Sequence, residues 1–259
     1  MESEIIRTAI KVGNSAGVLL PKQYLNSQVK VVLQPLNIER DILEILLEEN
    51  LLKNTLGIYL VGSYARKEQT IESDIDVLVI TSSISKKIIR ERYEIILLTK
   101  EQVEKQLKTN IMPLLPMLKE AKPIINGTLL EKYKQTKLTK KNLKWHIETT
   151  KSAMKVIEKS ISLAKELGIK EGDSSAYSLI LRLRGVHIVN CLKKDKLWSK
   201  KEFLNLIKEI AGSLKAYEGY SRAKADKKTK EGLPIEEAEK LMEYINKKIK
   251  EQEDWLKSR

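Results

Sequence analysis

Gly57-Ile58-Tyr59-Leu60-Val61-Gly62-Ser63-Tyr64-Ala65-Arg66 and, beyond it, Ser73-Asp74-Ile75-Asp76-Val77-Leu78-Val79-Ile80-Thr81 decide how this chain is read. Both are short aliphatic runs rich in β-branched residues, so each reads as a buried strand. Asp74 and Asp76 open the second run at positions i and i+2, which face the same way on a strand. Two such carboxylates repel each other unless a cation or phosphate chemistry accounts for them. Mg²⁺ suits the place, because it takes one or two carboxylates, keeps several waters and completes its shell with phosphate oxygens. The first run ends in Gly62-Ser63, where glycine lets backbone approach a phosphate closely. A helix opened by Ser63 would turn free N–H groups and its positive dipole end toward that phosphate. Alone, a Gly-Ser turn or an Asp-x-Asp pair is ordinary; ten residues apart on two core strands they form one signal.

A third strand-like run, Arg92-Tyr93-Glu94-Ile95-Ile96-Leu97-Leu98, carries Glu94 near its start. The order of hydrophobic strand, Gly-Ser, ten residues, Asp-x-Asp and an acid on the next strand resembles the DNA polymerase β-like nucleotidyltransferases, and most closely the minimal, MNT-type members. The resemblance spans roughly residues 37–130, the size of a small domain. It implies that Asp74, Asp76 and Glu94 are catalytic and hold Mg²⁺ or Mn²⁺. It further implies that Gly62 and Ser63 bind the β- and γ-phosphates of ATP or another NTP, with Arg66 or Lys67 neutralising the leaving pyrophosphate. The implied activity is metal-dependent transfer of a nucleoside monophosphate, AMP from ATP by analogy, with Glu94 as the carboxylate that assists deprotonation of the acceptor hydroxyl. Against this, Glu94 also reads as a partly exposed strand acid with no role. A small molecule, an RNA end or a tyrosine of a toxin protein all fit as acceptor, the last because MNT-type proteins can act as antitoxins that adenylylate a toxin.

The first thirty-five residues read as a separate module. Glu4–Lys11 alternates like a strand, Val12–Gly17 is a turn, Val18–Lys22 is again extended, and a short Lys22–Leu25 helix precedes Val29-Lys30-Val31-Val32-Leu33. Lys11–Lys22 resembles the MazE/AbrB-type swapped hairpin. A unit this small buries too little core to stand alone, and in that family an identical partner completes it. The resemblance implies a homodimer through residues 1–35 and DNA contacts from Arg7, Lys11 and Asn14. With only two cations among those three, a dimerisation handle without DNA contact stands beside it. The rival to the enzyme reading is a DNA-binding, antitoxin-like transcriptional regulator that uses the transferase fold as sensor or scaffold.

Pro35-Leu36-Asn37 reads as a hinge and helix start, followed by helical periodicity over Ile38–Lys53. Thr99-x-x-Gln102 resembles a capping box for a helix from about 100 to 109. Pro113 and Pro116 interrupt an apolar connection read as core packing rather than a mobile flap. From Leu138 onward strand signals vanish, and helices are expected at about 139–167, 174–195, 200–226 with a break near Gly212 or Gly219, and 234–257. The expected fold is multidomain α+β: a swapped hairpin over 1–35, a mixed-sheet nucleotidyltransferase core over 36–130, and a basic helical bundle over 131–259. The bundle resembles the helical domain that completes the substrate cleft in nucleotidyltransferases similar to the kanamycin-modifying enzyme.

Residues 1–130 carry 17 Lys+Arg against 16 Asp+Glu and residues 131–259 carry 31 against 19, so nearly all of the net +13 lies in the second half. Such a surface attracts polyanions, although a solvated lysine-rich helical face is an equal reading. One cysteine, Cys191, excludes an intrachain disulfide, no apolar run is long enough to cross a bilayer, and the acidic start is unlike a signal peptide; a cytoplasmic protein is expected. Arg182 and His187 share a spacing with HEPN-domain ribonucleases, but residues five apart do not share a helix face. His146 and Cys191 read as packing, as do Tyr217, Tyr220 and Arg222 in preference to a base-stacking role.

Overall fold

The computed structural model describes residues 5, 7, 9–32, 36–71, 73–227 and 231–258. The readings of Met1–Glu4, Ile6, Thr8, Leu33 and Pro35 therefore lie outside the described residues. The chain divides into two compact units, residues 1–42 and 43–259.

In the first unit β1 (Ile10–Val12) and β2 (Ser15–Gly17) pair antiparallel, with Val12 opposite Ser15. Gly13, at φ +60°, makes the two-residue turn. A single 3₁₀ turn at Lys22–Tyr24 follows the expected short helix. The ladder ends at Gly17, and Leu19, Val31 and Val32 are exposed. An isolated hairpin buries little, so nothing within it covers them. α1 (Ile38–Glu48) begins at Asn37, whose side-chain oxygen accepts from the Arg40 N–H at 3.1 Å. It stops short of the expected Lys53, since Asn50 turns left-handed and the Leu51 N–H returns to the Leu46 carbonyl at 2.9 Å.

The second unit is built on a mixed sheet of β3 (Thr55–Leu60), β4 (Ile75–Thr81), β5 (Lys86–Arg90), β6 (Tyr93–Thr99) and β7 (Lys122–Ile125), in spatial order β5-β6-β4-β3-β7. β4 and β6 run parallel and the other neighbours antiparallel. The three apolar runs are the central strands, where Ile58, Ile75, Leu78, Val79 and Ile95 are fully buried. The edge strands were not legible. β5 is Lys86-Lys87-Ile88-Ile89-Arg90, whose charge suits an edge that must not pair further, and β7 contains Pro123, which only an edge accommodates.

α2 (Gly62–Arg66) follows β3, and α3 (Lys100–Thr109) follows β6. Both capping-box bonds form at Thr99 and Gln102, at 3.1 and 2.9 Å. The Pro113/Pro116 stretch packs into the core: Ile111, Leu114, Leu115 and Leu118 are buried, the last two on α4 (Leu115–Glu120). α5 (Gly127–Lys134) then leads to the helices α6 (Lys140–Glu166), α7 (Asp173–Lys193), α8 (Lys200–Ala211), α9 (Lys215–Lys224) and α10 (Ile235–Lys257). The expected break falls at Gly212, φ +84°, and α9 runs through Gly219. At Ser199 only half of the expected box forms, because Glu202 pairs with Lys196 instead. One apolar cluster runs from Tyr59 and Leu78 of the sheet through Leu143, Leu183 and Leu241 of the helices.

Candidate active site

β4 and β6 position the carboxylates. Their parallel register makes Asp76 and Glu94 Cα partners, so the two acids stand on the same face of adjacent strands. Asp74 lies one residue before β4 and is exposed. Burial pushes the Asp76 carboxyl above its usual range, and the charges of Glu94, Asp74 and Glu120 push it further, with Arg66 opposing. Glu94 accepts an ion pair from Lys87 of the edge strand at 2.7 Å. Among the described residues no group of three or more His, Cys, Asp or Glu forms a ready-made metal cluster. What is present is an in-register pair with a third acid close enough to act on it. The hard oxygen donors of that set fit a divalent cation, and the ammonium of Lys87 on Glu94 marks a place that already attracts positive charge.

The Gly-Ser turn sits against this pair. Gly62, at φ +69°, has no room for a side chain: a Cβ there would lie 2.1 Å from Asp76 Oδ2. Glycine is needed for its backbone conformation and because the Asp76 carboxylate occupies the space a side chain would take. Its N–H donates to Glu120 Oε1 at 2.9 Å, and the helix starts here, one residue before the start expected at Ser63. The Ser63 hydroxyl has no hydrogen-bond partner among the described residues, and Lys67 is an exposed left-handed cap with φ +59°.

Arg66 is not free to reach into solvent. It donates to Glu68 at 2.9 Å and Glu120 at 2.7 Å, and its guanidinium lies 4.7 Å from the centre of the Trp198 ring. Burial pushes the Glu120 carboxyl up, opposed by Arg66, the Gly62 N–H and a hydrogen bond from Trp198. Glu68 also accepts from the Lys200 N–H at the start of α8, at 3.0 Å. The Gly-Ser turn is thereby tied to the helical region through one arginine and two acids. Sequence reasoning missed Glu120 and Trp198, which stand in no motif and reach the site through the packing of α4 and of the segment before α8. It also missed Arg92, which donates to the Tyr64 hydroxyl and to the Ser73 carbonyl, the latter at 3.2 Å, and so braces the segment leading to Asp74.

The remaining candidates of the second unit have partners of their own. Arg182 donates to Thr149 at 3.3 Å, whereas His187 lies against Phe203 and within 3.6 Å of Cys191 Sγ. Tyr220 stacks on Tyr177 and Arg222 makes a two-pronged pair with Asp173, both packing roles. Of the hairpin residues Arg7, Lys11 and Asn14, Lys11 is on β1, Asn14 is in the turn, and Arg7 and Asn14 are exposed.

Residues 39–157 match the family described as Nucleotidyltransferase domain. No curated protein sequence matches the chain. Among solved structures, a nucleotidyltransferase-like protein from Exiguobacterium sibiricum is similar at 14% identity and TM-score 0.39, over 83% of this chain and 76% of that one. A spectinomycin adenyltransferase from Enterococcus faecialis, solved with ATP and spectinomycin, is similar at 16% identity and TM-score 0.42, over 82% of this chain and 98% of that one. Among the described residues no helix is long and apolar enough to cross a membrane. The stretch 39–157, which holds the Gly-Ser turn and all three acids, matches a nucleotidyltransferase domain, and that match supports a nucleotidyltransferase enzyme.

Proposed function

We propose that this chain transfers a nucleoside monophosphate, AMP from ATP, to an acceptor hydroxyl, using a divalent cation held by Asp74, Asp76 and Glu94. The observation that carries the reading is the in-register pair of Asp76 and Glu94 beside a glycine whose missing Cβ makes room for the Asp76 carboxylate. The cation, Mg²⁺ or Mn²⁺, would supply neutralisation of charge on the phosphate oxygens. Ser63 offers an uncommitted hydroxyl to the phosphates, and Lys67 an ammonium to the departing pyrophosphate. Gly62 permits their close approach, and Arg66 holds the turn through Glu68 and Glu120. In the reaction the acceptor oxygen forms a bond to the α-phosphorus, the bond from that phosphorus to the β-phosphate bridge breaks, and pyrophosphate leaves. Glu94 takes the acceptor proton.

In this reading the hairpin over 1–35 is a dimerisation module, 36–130 the catalytic domain and 131–259 the helical domain that bounds the acceptor side, in a cytoplasmic protein. Calorimetric titration of ATP with Mg²⁺ into the wild type and the Asp74→Asn/Asp76→Asn variant, with pyrophosphate release followed in parallel, tests the catalytic part. Binding by the wild type that is lost in the variant is the expected result. A wild type that binds no nucleotide in the presence of Mg²⁺ sinks the reading.

A further inference from the structure

Between α4, the connector after α5 and the ends of α7 and α10 lies a cavity of about 170 Å³. Its rim carries Lys119, Lys134, Lys137 and Lys193, with Asp195 as the one carboxylate among its lining residues. Lys119 and Lys134 are held close in, their side chains 25% and 21% exposed, while the Asp195 side chain paired with Lys119 is 83% exposed. Each lysine is ion-paired, Lys119 with Asp195 at 2.7 Å and Lys134 with Glu131 at 3.0 Å, and both acids stand largely in water while the half-buried lysine stems line the cavity. Convergence of four cations against two outlying acids on one concave, partly apolar space raises its potential and concentrates anions there. The floor is apolar, from Leu115, Leu138 and Leu192, and the Trp255 ring already takes the Lys193 ammonium over its face at 4.7 Å.

We propose that this cavity is a binding site for a compact, phosphate-bearing anion. Its volume is below the roughly 300–1,000 Å³ of pockets that enclose drug-sized ligands, so the occupant is of pyrophosphate size and not a whole nucleotide. Lysines supply point charges without a fixed fork, which suits multiply charged phosphate better than a planar carboxylate. No residue assigned to nucleotidyl transfer takes part, so the site stands or falls independently of that activity.

The test is calorimetric titration of inorganic pyrophosphate into the full chain in EDTA, with no divalent metal present. Saturable one-to-one binding is expected. It should weaken about tenfold in Lys134→Met/Lys137→Met, tighten about threefold in Asp195→Asn, and fall as salt rises. Absence of saturable binding by the wild type overturns the proposal. So does binding that neither the lysine pair nor Asp195→Asn alters, which would place the anion elsewhere. Loss of ATP binding in Asp74→Asn/Asp76→Asn with Mg²⁺ present reports on the transferase reading alone.

Discussion

Asp76 and Glu94 are direct partners across the parallel ladder of β4 and β6, and the charge of Glu94 adds to the cost of ionising Asp76. The sheet thus holds two like charges together at its centre, an arrangement that a divalent cation relieves.

Asp76→Asn should accordingly make the metal-free protein more stable and remove its catalysis. The Asp76 carboxyl is raised above 3.8 in the folded state, so folding is penalised once the pH passes the folded-state value and is not penalised below the ordinary one. A gain of about 2 °C in thermal midpoint at neutral pH is expected, vanishing in acid. Melting curves of both proteins across pH, with and without Mg²⁺, check it; Mg²⁺ should stabilise only the wild type.

Gly62→Ala should cost about 2 kcal/mol or more, because alanine is strained at φ +69° and its Cβ would meet Asp76 Oδ2 at 2.1 Å. Since the clash moves a proposed ligand, nucleotide binding should weaken at least tenfold. A variant that folds and binds as the wild type does would remove the close approach from the account.

Glu120→Ala leaves the Gly62 N–H without its acceptor and Arg66 with Glu68 alone. A loss of about 2–3 kcal/mol is expected from the unpaired buried groups, read from the denaturant midpoint. Glu120→Gln retains an acceptor for Gly62 and should lose less than half as much. Trp198 fluorescence should shift in both, since its ring lies over Arg66.

His146 sits buried on α6 with Nε2 3.3 Å from Gln252, and burial lowers its pKa to about 4, with nearby Arg182 adding to the shift. A histidine lowered in the folded state binds fewer protons than in the unfolded chain, so stability falls as pH drops from about 6.5 to 4. The loss over that window is about 3 kcal/mol. His146→Gln should flatten most of this dependence in denaturant titrations at several pH values, while His187, lowered by burial as well, leaves a residual slope.

The central strands, the Gly-Ser turn, the Thr99 capping box and most helix limits were legible because each is local, whereas Asp74, expected to share the strand with Asp76, lies one residue before β4. Aliphatic runs, glycines and caps act within a few residues and leave a pattern in the chain. β5 and β7 were not, since a charged run and a proline-bearing tetrapeptide become strands only when a neighbouring edge offers its hydrogen bonds. The same holds for Glu120, Trp198 and Arg92, which lie 58, 136 and 30 residues beyond Gly62 and meet the site through α4, the segment before α8 and the turn before β6. By itself the sequence determined the central strands and the turn and acids from which the chemistry is proposed. The tertiary structure alone decided that the Gly62 N–H is held by a buried acid and that Arg66 is a tether, because hydrogen bonds between distant elements depend on packing that no local pattern encodes.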